Sequence, residues 1–136
     1  MSETFDLERF AADCRAARET DPSHKLVREV VARAVSDPGA VLKGLGEPIR
    51  GEVKKLYHSP ELTIFNVIWA PKMTIMPHDH RMWAVIGVYT GREDNIFWRR
   101  VPGSSGGKLE AACGGRWVAR LRRGSENCYG LAQPIS

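Results

Sequence analysis

The hydrophobic pattern of this chain changes once, near Gly51, and that change limits the folds available to it. Before Gly51, apolar residues recur every two to four positions, which is the spacing of amphipathic helices. After Gly51, β-branched and aromatic residues form short runs bounded by glycine and proline, which is typical of strands. The 136 residues therefore predict one domain, with a helical segment over 1–46 and a β portion over 51–121.

Two Asp-Pro pairs mark helix starts within the first segment. Asp21-Pro22 precedes the apolar run that begins at Leu26, and Asp37-Pro38 precedes a shorter one. Aspartate is a favoured N-cap, and proline is tolerated at the first helical position. Each pair therefore predicts a helix that begins there, and Gly44 or Gly46 is expected to end the second.

The β portion is predicted from several short runs. Residues 62–69 are the richest in strand-forming types, and further strands are expected within 73–76, 84–89, 96–98 and 117–121. The alternation stops after this point, so 122–136 is predicted to be an irregular tail. Short strands at regular spacing predict a mainly β protein, a barrel or sandwich with the helices packed outside it.

Composition restricts the setting and the partners of the chain. Its net charge is +4, and its three cysteines include no CxxC pair, so we expect reduced thiols in the cytoplasm. The acidic N-terminus does not resemble a signal peptide, and no apolar run is long enough to span a membrane. The arginine-rich stretch 116–123 has only Trp117 as an interleaved aromatic residue, so no nucleic-acid partner is expected.

The tetrapeptide Pro77-His78-Asp79-His80 holds two of the four histidines. Side chains at positions i and i+2 of a strand share a face, so both imidazoles of such a pair can bind one metal ion. A third histidine or a carboxylate usually completes such a site, and no histidine follows His80. The pair is thus a candidate metal site, and the alternative is a polar strand pair without metal.

The surrounding residues make the motif more specific. The stretch 77–91, PHDHRMWAVIGVYTG, resembles the first cupin motif, G-x5-HxH-x3/4-E-x6-G, with His78, His80 and Gly91 in register. Over 56–100 the chain is similar to thiol dioxygenases related to cysteine dioxygenase. Ala84 occupies the position of the motif glutamate, which those enzymes also lack. It argues against cupin isomerases and sugar-modifying enzymes, which usually use that glutamate.

The resemblance implies a cupin double-stranded β-helix, a jelly-roll-like barrel with N-terminal helices, and one Fe(II) ion bound by three histidines. The implied reaction is the oxidation of a small thiol to a sulfinate by O₂. Lys54 or Lys55 is the nearest match to the arginine that binds the substrate carboxylate in cysteine dioxygenase, and lysine cannot form the same bidentate contact. Tyr89 is a candidate for the active-site tyrosine of the family.

The end of the chain departs from the family. The third histidine belongs to a second cupin motif, which is not found, so the C-terminus is expected to be shortened or altered and the barrel incomplete. Another divalent metal, or none, is then an alternative to Fe(II). The alternative function is a catalytically inactive cupin-like binding or structural protein. Open barrel edges tend to pair, which predicts a homo-oligomer.

Overall fold

The computed structural model describes residues 4–76, 82–103, 106–118 and 131–132. The helices in these ranges are α1 (Leu7–Thr20), α2 (Lys25–Val35) and α3 (Pro38–Leu45). The strands are β1 (Glu52–His58), β2 (Thr63–Ile68), β3 (Ala84–Val85), β4 (Arg92–Arg100), β5 (Leu109–Val118) and β6 (Leu131–Ala132). The predicted metal ligands His78 and His80, and most of the predicted tail, lie outside the described residues.

Local capping explains where the helices begin and end. The carboxylate of Asp6 accepts from the amide of Arg9 at 3.1 Å and begins α1. Asp37 accepts from the amide of Ala40 at 3.1 Å with Pro38 in the first turn, which confirms the second predicted start. Gly46, at φ 89°, ends α3 because glycine adopts this left-handed conformation without strain.

The helix start predicted at Asp21 is wrong by several residues. Helix α2 begins at Lys25, and the residue that precedes it is His24. The Asp21 carboxylate instead accepts from the amide of Ser23 at 2.9 Å and closes a turn ahead of the helix. Aspartate forms such local turns as readily as it caps helices, so the Asp-Pro pattern fits both structures.

The described strands form three antiparallel pairs rather than one sheet. β1 pairs with β2, β4 with β5, and β3 with β6. In the first pair Lys54 lies opposite Asn66 and Tyr57 lies opposite Ile64, with an irregularity between Lys55 and Tyr57. No closed barrel is formed by the described residues, whose architecture is mixed helix and sheet rather than mainly β.

Two strand predictions need correction. Residues 73–76 are not a strand, and the strand expected over 84–89 is limited to Ala84–Val85. At the start of the first segment, the amide of Met73 donates to the carbonyl of Ala70 at 3.1 Å, and Lys72 has φ 61°. Apolar runs this short become strands only where a partner supplies a hydrogen-bonding edge, which local patterning does not reveal.

The core lies between the helices and the first β-hairpin. Cys14 from α1 packs with Val27 and Val30 from α2 and with Leu62 from the β1–β2 turn. Partly buried residues from the hairpin and from the segment after the histidine pair complete this cluster, among them Tyr57, Ile64, Trp83 and Val85. In the described ranges, no helix is both long and apolar enough to cross a bilayer.

Candidate functional site

The segment that follows the histidine pair is attached to the helical region. The indole nitrogen of Trp83 donates to the carbonyl of Pro22 at 3.1 Å, in the loop between α1 and α2. At Gly87 the backbone lies against α2, and a Cβ there would be 2.7 Å from a methyl carbon of both Val31 and Val35. Only glycine permits this approach, so residues 83–87 are held at a fixed distance from α2.

The same segment contacts the β1–β2 hairpin through Tyr89. Its hydroxyl donates to Oδ1 of Asn66 at 2.6 Å. Asn66 is only 5% exposed and is the buried polar residue of β2. Burial raises the pKa of Tyr89 above its ordinary value. The hydroxyl therefore stays protonated at neutral pH and remains a hydrogen-bond donor.

Lys54 lies on the same face of the hairpin as this hydrogen bond. Directly opposed residues of an antiparallel pair project to the same side, and Lys54 is opposite Asn66. Its neighbour Lys55 is opposite the exposed Phe65 and lies on the other face. The ammonium of Lys54 is 3.4 Å from Oε1 of Glu52. The structure thus separates the two lysines that the sequence left as alternatives.

These three residues, Lys54, Asn66 and Tyr89, are called the Asn66 cluster below. The sequence pointed to Lys54 and Tyr89, but it missed the asparagine that both adjoin. A signal was present: Leu62, Ile64 and Ile68 share the parity of position 66 in the strand, so Asn66 interrupts an apolar face. A buried polar group needs a hydrogen-bond partner, and at Asn66 that partner is Tyr89.

The two histidines whose positions are described, His24 and His58, do not belong to the Asn66 cluster. Nδ1 of His58 is 2.9 Å from Oγ1 of Thr63 on the exposed end of the hairpin, and His24 precedes α2. The carboxylate of Glu93 accepts from the indole nitrogen of Trp69 at 3.1 Å. Within the part of the chain that the structure describes, no group of three or more His, Cys, Asp or Glu residues could hold a metal ion.

Comparisons with protein-family models, curated proteins and solved structures find no match to this chain. Hypotheses about its function therefore rest on the motif around His78 and His80 and on the Asn66 cluster. The first supplies candidate metal ligands from the sequence. The second supplies a cation and a tyrosine–asparagine hydrogen bond on one face of the adjoining hairpin.

Proposed function

We propose that this protein is a thiol dioxygenase-like oxidoreductase of the cupin type, which oxidises a small thiol to a sulfinate with O₂. The observation that carries the proposal is the convergence at Asn66. Lys54 and Tyr89 are 35 positions apart, yet one is the cross-strand neighbour of Asn66 and the other is hydrogen-bonded to it. The resemblance predicts a substrate-contacting role for both residues, and the fold brings both next to Asn66.

In this proposal, the histidine pair binds the metal and the Asn66 cluster contacts the substrate. His78 and His80 would hold Fe(II) through ring nitrogens, and bound iron would supply a Lewis acid at which a thiol and O₂ meet. The Lys54 ammonium attracts a carboxylate at the far end of the thiol, as a point charge rather than as a bidentate fork. Tyr89 keeps its proton at neutral pH and donates it to Asn66, which leaves the hydroxyl oxygen as a hydrogen-bond acceptor on the same face.

The turn before the histidines gives separate support. The first glycine of the G-x5-HxH motif corresponds to Lys72, and Lys72 has φ 61°. With Pro71 before it and the bond from Met73 to Ala70 around it, this is the geometry of a type II turn, which favours glycine at that position. The backbone conformation suited to the motif glycine is therefore present although the residue is lysine.

Oxygen uptake tests the proposal. Purified full-length protein is loaded anaerobically with Fe(II) and mixed with cysteine, cysteamine or 3-mercaptopropionate while dissolved O₂ is recorded. We expect uptake with at least one thiol and a sulfinate product by mass spectrometry. Absence of uptake with all three thiols, in protein that binds iron, would refute the dioxygenase proposal.

The two lysines provide a matched pair for the role of the Asn66 cluster. Lys54→Met should raise the KM for 3-mercaptopropionate about tenfold, because one charge-assisted contact to its carboxylate is lost. The KM for cysteamine, which has no carboxylate, should not change. Lys55→Met removes the same charge from the opposite face of β1 and should leave both values unchanged. Equal effects of the two variants would contradict a substrate role for Lys54.

The alternative, an inactive cupin-like binding or structural protein, is motivated by the absence of a histidine after His80. Iron analysis separates the two. Our proposal predicts about one iron per chain after loading, and loss of that iron in His78→Ala. Metal-free protein whose His78→Ala variant melts at an unchanged temperature would favour the alternative.

A further inference from the structure

A second candidate site, which shares no residue with the Asn66 cluster, is a cleft of about 250 Å³ between α1 and the β1–β2 turn. Helix α1 contributes Arg15, Arg18 and Glu19, and the turn contributes Glu61. Tyr57 and Leu62 also line the cleft. The volume is below the ~300–1,000 Å³ typical of drug-sized ligands, so it suits a smaller molecule.

The apolar side of this cleft is fixed by the core and by local hydrogen bonds. Leu62 is 9% exposed and belongs to the core cluster, against which Tyr57 also packs. The turn is closed by Ser59, whose amide donates to the carbonyl of Leu62 at 2.8 Å and whose hydroxyl accepts from the amide of Leu62 at 3.1 Å. A ligand would therefore meet a preformed surface and would not have to order it.

The charged groups of the cleft are not committed to one another. None of the ion pairs formed by the described residues involves Arg15, Arg18, Glu19 or Glu61. The guanidinium carbon of Arg15 is 5.4 Å from the centroid of the Tyr57 ring. A guanidinium that contacts a ring through its face still has N–H donors along its edge, so Arg15 is positioned without losing its capacity to bind a carboxylate.

We propose that this cleft binds a small zwitterion, a free α-amino acid with an apolar side chain. Two guanidiniums offer a site for the carboxylate, two carboxylates offer a site for the ammonium, and Tyr57 with Leu62 offers a surface for the apolar group. An anion alone would leave the two glutamates facing a like charge, and a cation alone would do the same for the arginines. Charges of both signs in one small cleft therefore favour a ligand that carries both.

Matched ligands test this inference on the full-length chain by isothermal titration calorimetry. L-Leucine is compared with leucinamide, which lacks the carboxylate, and with 4-methylpentanoate, which lacks the ammonium. We expect leucine to bind at least about tenfold more tightly than either analogue, since each loses one set of charge-assisted hydrogen bonds. Binding of 4-methylpentanoate as tight as that of leucine, or no binding of any of the three, would overturn the proposal.

Variants locate the binding in the cleft. Arg18→Gln and Glu61→Gln each remove one charge at nearly constant volume, and each should weaken leucine binding about tenfold. Arg9→Gln is the control, because Arg9 is on α1 and does not line the cleft. Equal weakening by Arg9→Gln would show that only net charge matters and would refute the assignment. The outcome is independent of thiol oxidation, which uses residues outside this cleft.

Discussion

The helical region and the β region differ in what they do with their apolar residues. Among the described residues, the buried apolar side chains lie in α1, α2 and α3, except for Leu62. In the ranges that the structure describes, the large exposed hydrophobic residues fall between positions 49 and 109. On the outer face of the β1–β2 hairpin Val53 is 62% exposed and Phe65 is 51% exposed. Apolar residues of the amphipathic helices are buried, whereas the outer face of the β1–β2 hairpin is exposed among the described residues.

This difference follows from how far apart in the sequence the packing partners of helices and of strands are. Two helices joined by a short loop meet through contacts that are near in sequence, as α1 and α2 do around Cys14 and Val27. A two-stranded sheet has two faces and two edges, and further strands or helices must come from elsewhere to cover them. Stability should therefore depend strongly on the helical core and weakly on the outer face of the hairpin.

The largest expected effect of a substitution on stability comes from Val→Ala in the helical region, which we compare with the same substitution in the β region. Val27→Ala, at a position that is 4% exposed, should lower the free energy of unfolding by about 2–3 kcal/mol. The same substitution at Val53 should lower it by less than about 0.5 kcal/mol, because Val53 already contacts water. Urea denaturation measures both. If Val53→Ala lowered the free energy of unfolding by a comparable amount, the outer face would be covered in solution and the two regions would not differ in this respect.

An alkaline titration examines the helical core at Cys14. Burial, and to a lesser extent the charge of Asp13, raises the pKa of this thiol from 9.0 to about 11. Between these values the unfolded chain releases the thiol proton and the folded chain keeps it. The stabilisation is therefore complete below pH 9 and is lost as the pH rises through 11, by about 3 kcal/mol in total.

Cys14→Ala is the reference for this titration, since the other cysteines and the tyrosines are common to both proteins. The free energy of unfolding of the unmodified chain should fall more steeply than that of the variant between pH 9 and 11. Parallel curves would mean that the folded thiol ionises as readily as the unfolded one, and that the core around Cys14 admits water.

The smallest expected change in the free energy of unfolding comes from a substitution in the β region. Tyr89→Phe removes the hydroxyl that donates to the buried Asn66, so the free energy of unfolding should fall by about 1 kcal/mol. Tyr57→Phe is the matched control, because no described residue is hydrogen-bonded to the Tyr57 hydroxyl, and it should be nearly neutral. Chemical denaturation of both variants measures the difference. If Tyr89→Phe were also neutral, the Asn66 cluster would contribute no rigidity to this face.

Prediction from the sequence succeeded where the signal is local. The cap at Asp37, the end of α3 at Gly46 and the strand within 62–69 each depend on a few neighbouring residues. The helix start predicted at Asp21 was wrong because an aspartate side chain can either cap a helix or close a local turn. The strand predicted at 73–76 was wrong because a strand there requires a hydrogen-bonding partner from a distant part of the chain. The barrel, the Fe(II) ion and the ligand roles of His78 and His80 stay predictions.

The sequence by itself determined that helices precede strands, and it determined the amphipathic helices and the HxH motif, because each depends on neighbouring residues. Only the tertiary structure decided that Lys54 rather than Lys55 shares a face with Tyr89, and that Asn66 joins them. It also decided that Gly87 lies against α2. Strand register and the close approach of separate segments depend on contacts between residues far apart in the chain, which no local pattern specifies.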